Sequence, residues 1–157
     1  MATRPPSTRA LLPHLRAHVA SLAKTHGIEV EVAAVRRARA YRGQPSRGRA
    51  PRIRIPEIRS QITYFTALHE LGHLVSPGNR SLRQLEAEAD AWRFALEHAL
   101  VPPSKATAAR LHAYLLSYLR RAERRRALGH RTAASIPAAG SPYWATLAAL
   151  EAAASAR

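Results

Sequence analysis

Hydrophobic positions recur along this chain with two different periods, and the switch between them predicts a mixed architecture. Leu11, Leu12, Leu15, Val19 and Leu22 return at three- and four-residue intervals, the spacing of one helix face, and Gly27 is a natural stop. Residues 8–26 therefore read as an amphipathic helix. Ile28-Glu29-Val30-Glu31-Val32 alternates strictly, which places its apolar side chains on one face of a half-buried strand. Residues 35–42 are a second strand candidate, and residues 43–48 a Gly- and Pro-bearing loop. Arg52-Ile53-Arg54-Ile55 alternates again between Pro51 and Pro56. Proline suits strand ends and edges, so this third strand is expected at the sheet edge. There it would either receive a peptide as an added strand or be protected by its charge.

From residue 60 onward the period is helical. Ile62, Phe65, Leu68 and His69 share a face, and Ser60 is a candidate N-cap. Residues 76–79 (Ser-Pro-Gly-Asn) form a turn, and Ser81-Leu82-Arg83-Gln84 reads as a capping box opening a helix through Leu96. Ser104 can cap a third helix with Leu111, Leu115 and Leu119 on its apolar face, Tyr114 and Tyr118 alongside, and a basic run, Arg120 to Arg126, at its end. At 157 residues the chain fits one domain. We expect a disordered lead-in at 1–7, a folded domain ending near 126, and a loose Ala-rich tail at 127–157 with a short helix over Tyr143 to Ala154 whose Trp144 and Leu147 pack on the body.

His69-Glu70-Leu71-Gly72-His73 carries the chemistry. Helix positions i and i+4 share a face, so both imidazoles can address one Zn²⁺. Glu70 lies about 100° further round, within reach of a water at the metal and suited to proton transfer. The motif has three fixed letters and recurs by chance, but its surroundings are apolar, and polar groups in a core need partners. Gly72 costs about 1 kcal/mol against Ala in a helix interior, so it too needs a reason. A third ligand is expected from the next helix. Glu86 and Asp90 form an i, i+4 pair whose like charges call for a cation or histidine nearby. Glu86 is assigned as the third ligand, with Asp90 accepting the free N–H of a ligating histidine. Glu88 is the alternative ligand; it lies on a different face and otherwise reads as a solvated charge.

The pairing of His-Glu-Leu-Gly-His with Glu86-Ala-Glu-Ala-Asp-Ala-Trp-Arg-Phe-Ala-Leu96, followed by Leu100-Val101-Pro102-Pro103, resembles the ImmA/IrrE family of zinc metallopeptidases over roughly residues 8–103. The family pattern is similar to H-E-x-G-H, then E-x-x-A-[ND]-x-F-A, then a leucine-rich stretch ending in Pro. Here Trp92 stands where the aromatic is expected, and Phe94-Ala95 falls two positions later. The resemblance implies an α+β, zincin-like domain: an N-terminal helix, a short twisted sheet of about three strands, the motif helix, then ligand-bearing and C-terminal helices. It implies peptide-bond hydrolysis with Zn²⁺ on His69, His73 and Glu86 and with Glu70 as the base. It also implies a narrow protein substrate, such as a helix-turn-helix repressor of a phage or mobile element. The motif segment is also similar to the metallopeptidase half of ArdC-type antirestriction proteins.

Charge adds a second reading. The net charge is +15, and its distribution is uneven. Residues 1–60 carry 13 basic and three acidic side chains and residues 101–157 nine and two, whereas residues 61–100 carry three and five. Basic flanks around an acidic centre could hold phosphate backbones, with Arg36, Arg37, Arg52, Arg54, Arg124 and Arg125 as candidates. The alternative function is therefore a nucleic-acid-associated or antirestriction-like module with a zinc site and no peptidase activity. Against it, 23 of the 25 cations are Arg, a bias that GC-rich coding alone produces, and no nucleic-acid-binding signature is present. Among possible oxyanion stabilisers, Tyr64, His98, His112 and Tyr143 are candidates that spacing does not rank. The absence of cysteine excludes disulfides and thiolate ligands and fits a cytoplasmic protein. No run is long enough to span a membrane.

Overall fold

The structure is a computed structural model that describes residues 8–76, 84–129 and 136–156. It is an α+β arrangement in which five helices and a three-stranded mixed sheet make up the described residues, apart from a short 3₁₀ turn. The order is α1 (Thr8–Thr25), β1 (Glu29–Val32), β2 (Arg39–Tyr41), β3 (Arg52–Ile55), α2 (Gln61–Val75), α3 (Gln84–Glu97), α4 (Lys105–Ala127) and α5 (Pro142–Ser155).

Helix α1 ends where Gly27 takes φ 64°, the left-handed region open to glycine at little cost. The Ile28 N–H then reaches back to the Ala23 carbonyl at 2.9 Å, closing the last turn in the Schellman manner. That reversal feeds β1 directly. Ser60 caps α2 as expected: it accepts from the Thr63 N–H, and the Thr63 hydroxyl accepts from the Ser60 N–H in return. Ser104 caps α4 through the Thr107 N–H. The expected turn at residues 76–79 and the capping box at 81–84 fall largely on residues 77–83, outside the described residues, as does the lead-in at 1–7.

The sheet order is β1-β3-β2, with β1 parallel and β2 antiparallel to β3. This corrects the expectation that residues 52–55 form an edge. β3 is central, and its prolines sit just beyond its ends, where no ladder bond is lost. Ile53 and Ile55 face the core, 0% and 1% exposed. The outward arginines are engaged within the sheet: Arg54 ion-pairs with Glu31, its register partner on β1, and Arg52 lies over the Tyr41 ring. The short β2 is the edge strand on the side of the motif helix.

The C-terminal helix forms where it was expected, with Trp144 and Leu147 packed against the core. Residues 142–155 form a helix that packs on α4 and α3 and contributes Tyr143 and Leu150 to the core. The Tyr143 hydroxyl donates to the Leu115 carbonyl at 3.0 Å. No helix among the described residues is long and apolar enough to cross a membrane.

The core runs from Leu15 and Val19 of α1 through Ile53 and Ile55 to Tyr64, Phe65, Leu68 and Leu71 of α2, then to α3, α4 and α5. Helix α2 is thus surrounded, and its two histidines and glutamate open onto a cleft at its C-terminal half.

Candidate metal centre

Two helices meet at the centre, and one glycine sets their distance. A Cβ on Gly72 would lie 2.8 Å from the Ala91 carbonyl oxygen and 2.9 Å from its Cα. Only a hydrogen at this position lets α2 and α3 approach so closely, which accounts for the glycine inside α2. Ala89, Ala91 and Ala95 are all completely buried, giving α3 a small-residue surface.

Across this contact His69, His73 and Glu88 converge. The Nε2 atoms of the two histidines face each other at 3.1 Å. Glu88 Oε2 lies 3.2 Å from His69 Nε2 and 3.7 Å from His73 Nε2. A tetrahedral zinc ion with bonds near 2.0–2.1 Å separates its ligand atoms by about 3.3–3.4 Å, so the three edges bracket that value. Glu88 Oε2 is buried and has no hydrogen-bond partner. A buried carboxylate oxygen without a donor is costly, and a cation between it and the imidazoles removes the cost. Burial by itself would raise the Glu88 carboxyl, but its contacts with His69 and His73 outweigh burial and hold it at about 2. Burial, opposed in part by Glu88, lowers His69 and favours the neutral imidazole that a metal requires.

Glu88 therefore stands where Glu86 was expected. On α3 the two are two residues apart, about 200° around the helix. The face bearing Glu88 also bears Trp92, and the Trp92 ring stacks on the His69 imidazole with centroids 4.0 Å apart and planes at 28°. Glu86 points elsewhere: its Oε1 accepts from the hydroxyl of Ser141, the N-cap of α5, at 3.2 Å. It fastens α5 to α3 and is remote from metal chemistry. Asp90 is buried and ion-paired with Arg93 one turn on. It does not hold the free nitrogen of His69, because His69 Nδ1 is buried without a hydrogen-bond partner. The signal that separates Glu88 from Glu86 was in the chain. An aromatic four residues after Glu88 marks the face turned toward the histidines.

Glu70 lies beside the triad and lines the same cleft. Burial pushes its carboxyl up to about 7, with the Glu88 carboxylate adding to the rise; His73 and the Ala40 backbone N–H oppose it. Thus the edge strand β2 orients the acid through its main chain. Tyr118, from α4, completes the wall. Its hydroxyl bonds to Glu88, and burial, with the Glu88 and Glu70 charges, raises its pKa to about 12, so it remains a donor at ordinary pH. The cleft, about 400 Å³, runs between β2 and α2 and is lined by Arg39, Ala40 and Arg42 on one side and by His69, Glu70, His73 and Tyr118 on the other.

The sequence placed Tyr118 only beside the apolar face of its helix, and the oxyanion candidates it did name lie elsewhere. The Tyr64 hydroxyl bonds His18 Nδ1 and accepts from the Leu100 N–H, both at 2.9 Å. Tyr143 is tied to Leu115. His98 stacks on Phe94 and bonds its carbonyl. His112, half-buried on α4, does not line this cleft. Of the arginines considered for nucleic acid, Arg52 and Arg54 are engaged in the sheet, and Arg124 and Arg125 occupy the last turn of α4, where they suit the helix dipole. Arg36 and Arg37 border a second cavity beside the centre. Comparison of the chain with protein-family models, with curated protein sequences and with solved structures finds no match.

Proposed function

We propose that this chain is a zincin-like, zinc-dependent metallopeptidase that cuts a peptide bond in a specific protein. His69, His73 and Glu88 would hold the ion and Glu70 would move the proton. One observation carries the reading: among the described residues, three ligand atoms with near-tetrahedral spacing line an open cleft together with the Glu70 carboxylate. Among the described residues no further histidine or acid joins the triad. Structural zinc sites are four-coordinate and closed, whereas catalytic ones keep a position for water or substrate. This favours catalysis over the alternative of a nucleic-acid module with structural zinc.

Bound at the triad, the ion would polarise the scissile carbonyl and acidify a water. The Glu70 carboxylate takes the proton of the attacking water and returns it to the leaving amine nitrogen. The Ala40 N–H keeps that carboxylate aimed at the cleft. The Tyr118 hydroxyl, which bonds to Glu88 in this structure, would turn to the carbonyl oxygen as charge develops there, once an ion at the triad engages the Glu88 carboxylate. The β2 edge offers main-chain groups along which an extended peptide can lie as an added strand. The likeness of the two motif segments to ImmA/IrrE metallopeptidases agrees with the roles of His69, Glu70 and His73, differs in that Glu88 takes the place it implies for Glu86, and favours a repressor-type substrate.

The test is Glu70→Gln. The variant should keep about one zinc per chain and lose cleavage of regulator proteins encoded nearby. Equal behaviour of wild type and variant on such substrates would reject a peptidase role.

A further inference from the structure

A second cavity, about 560 Å³, adjoins the metal cleft and shares His69, Glu70 and Tyr118 with it. Its size is that of a small-ligand or side-chain pocket. Its floor includes Trp92, 3% exposed, and its walls include Tyr114 and Tyr118. Three cations stand around it: Arg36 and Arg37 from the segment before β2, and Arg121 from α4. Among the described residues none of the three makes an ion pair, whereas Arg16, Arg54, Arg59 and Arg93 all do. Glu70 is the one acid in the lining, and it faces the metal cleft as well. Three arginines from two separate elements thus converge with no carboxylate of their own. Guanidinium groups present donors that match a carboxylate in paired geometry.

We propose that this cavity is a specificity subsite that takes a carboxylate of the substrate, an Asp or Glu side chain or a chain terminus, at one fixed position beside the scissile bond. The inference rests on the peptidase reading above. Because the pocket shares His69, one of the three proposed ligands, and Glu70 with the metal cleft, its occupant lies next to the reacting carbonyl. The aromatic rings accommodate the methylenes of an acidic side chain while the arginines take its charge. A hydrogen bond to a charged group in such a site is worth about 1.5–3 kcal/mol, enough for roughly tenfold to hundredfold discrimination.

The test uses the zinc-loaded full chain and binding of metal-chelating probes, read by calorimetry. The probes are N-acyl aspartyl hydroxamate, its asparaginyl isostere, and succinic monohydroxamate, which offers only a terminal-type carboxylate. Wild type should bind at least one carboxylate probe about tenfold or more tighter than the asparaginyl probe, and the tighter of the two identifies the source. Arg36→Gln/Arg37→Gln/Arg121→Gln should erase the preference while its zinc content stays that of wild type. Equal binding of all three probes, or a preference that survives in the triple variant, overturns the subsite. So does an oligonucleotide that binds wild type, is lost in the variant, and comes with no discrimination among the probes. The two readings fail separately. A carboxylate preference in a protein that cuts no peptide removes the peptidase role and leaves a carboxylate-binding pocket without a part in choosing a scissile bond. Zinc binding without preference removes the subsite alone. A chain that takes up no zinc removes both.

Discussion

The indole of Trp92 stacks on the imidazole of His69, centroids 4.0 Å apart, and this stacking joins the two helices that carry the His69–His73–Glu88 triad. His69 Nδ1 has no hydrogen-bond partner. The ring is therefore oriented by packing where a metal-bound histidine is usually held by an acceptor. Trp92→Phe should preserve the fold and weaken zinc binding about tenfold, a loss of the size seen when a ligand's outer support is removed. Trp92→Ala should cost about 3–5 kcal/mol of stability as well. Zinc titration and urea denaturation of both variants check this. Unchanged zinc affinity in both would show that the stacking does not orient His69.

Gly72 and Ala91 predict a second outcome. In an unconstrained helix Gly→Ala gains about 1 kcal/mol. Here the added methyl meets backbone at 2.8 Å, which cannot rotate away. Gly72→Ala should lose about 1–3 kcal/mol through overpacking and lower zinc affinity by displacing Glu88. A denaturation curve showing stabilisation would mean that the helices are free to part.

Tyr118→Phe removes one hydroxyl from the cleft and little volume. Loss of an oxyanion donor costs about a hundred- to a thousandfold in kcat. The variant should retain its zinc and show the loss in kcat with KM nearly unchanged. An equal loss in KM would indicate a substrate-binding role instead.

Much of the architecture was legible because it depends on local rules. The period of α1, the caps at Ser60 and Ser104 and the alternation of β1 and β3 all follow from short-range preferences. Within the centre, His69, Glu70 and His73 were legible for the same reason: their relation is internal to one helix. What was not legible depends on how elements meet. The place of β3 between two strands is set by pairing, and its flanking prolines are equally compatible with edge and centre. Choosing Glu88 over Glu86 requires knowing which face of α3 turns toward α2; Trp92, four residues after Glu88, was the one pointer in the chain, and the i, i+4 pattern of Glu86 with Asp90 competed with it. Tyr118 lies 45 residues after His73 in the chain and enters the cleft only because α4 packs beside α2 and α3. Helix α5 was legible as a short helix that packs through Trp144 and Leu147, whereas the burial of Tyr143 and Leu150 was not. Only Tyr143, Thr146 and Leu150 of that helix are buried, and Glu86 holds its first turn through Ser141.

The most direct measurement is zinc content and affinity for wild type, Glu88→Gln and Glu86→Gln, each compared with its denaturation midpoint. Wild type and Glu86→Gln should each hold about one zinc, the latter with a stability loss of about 1 kcal/mol for the Ser141 hydrogen bond. Glu88→Gln should bind zinc at least about tenfold more weakly. Retention of tight zinc in Glu88→Gln together with its loss in Glu86→Gln would contradict the convergence of His69, His73 and Glu88 on a single ion.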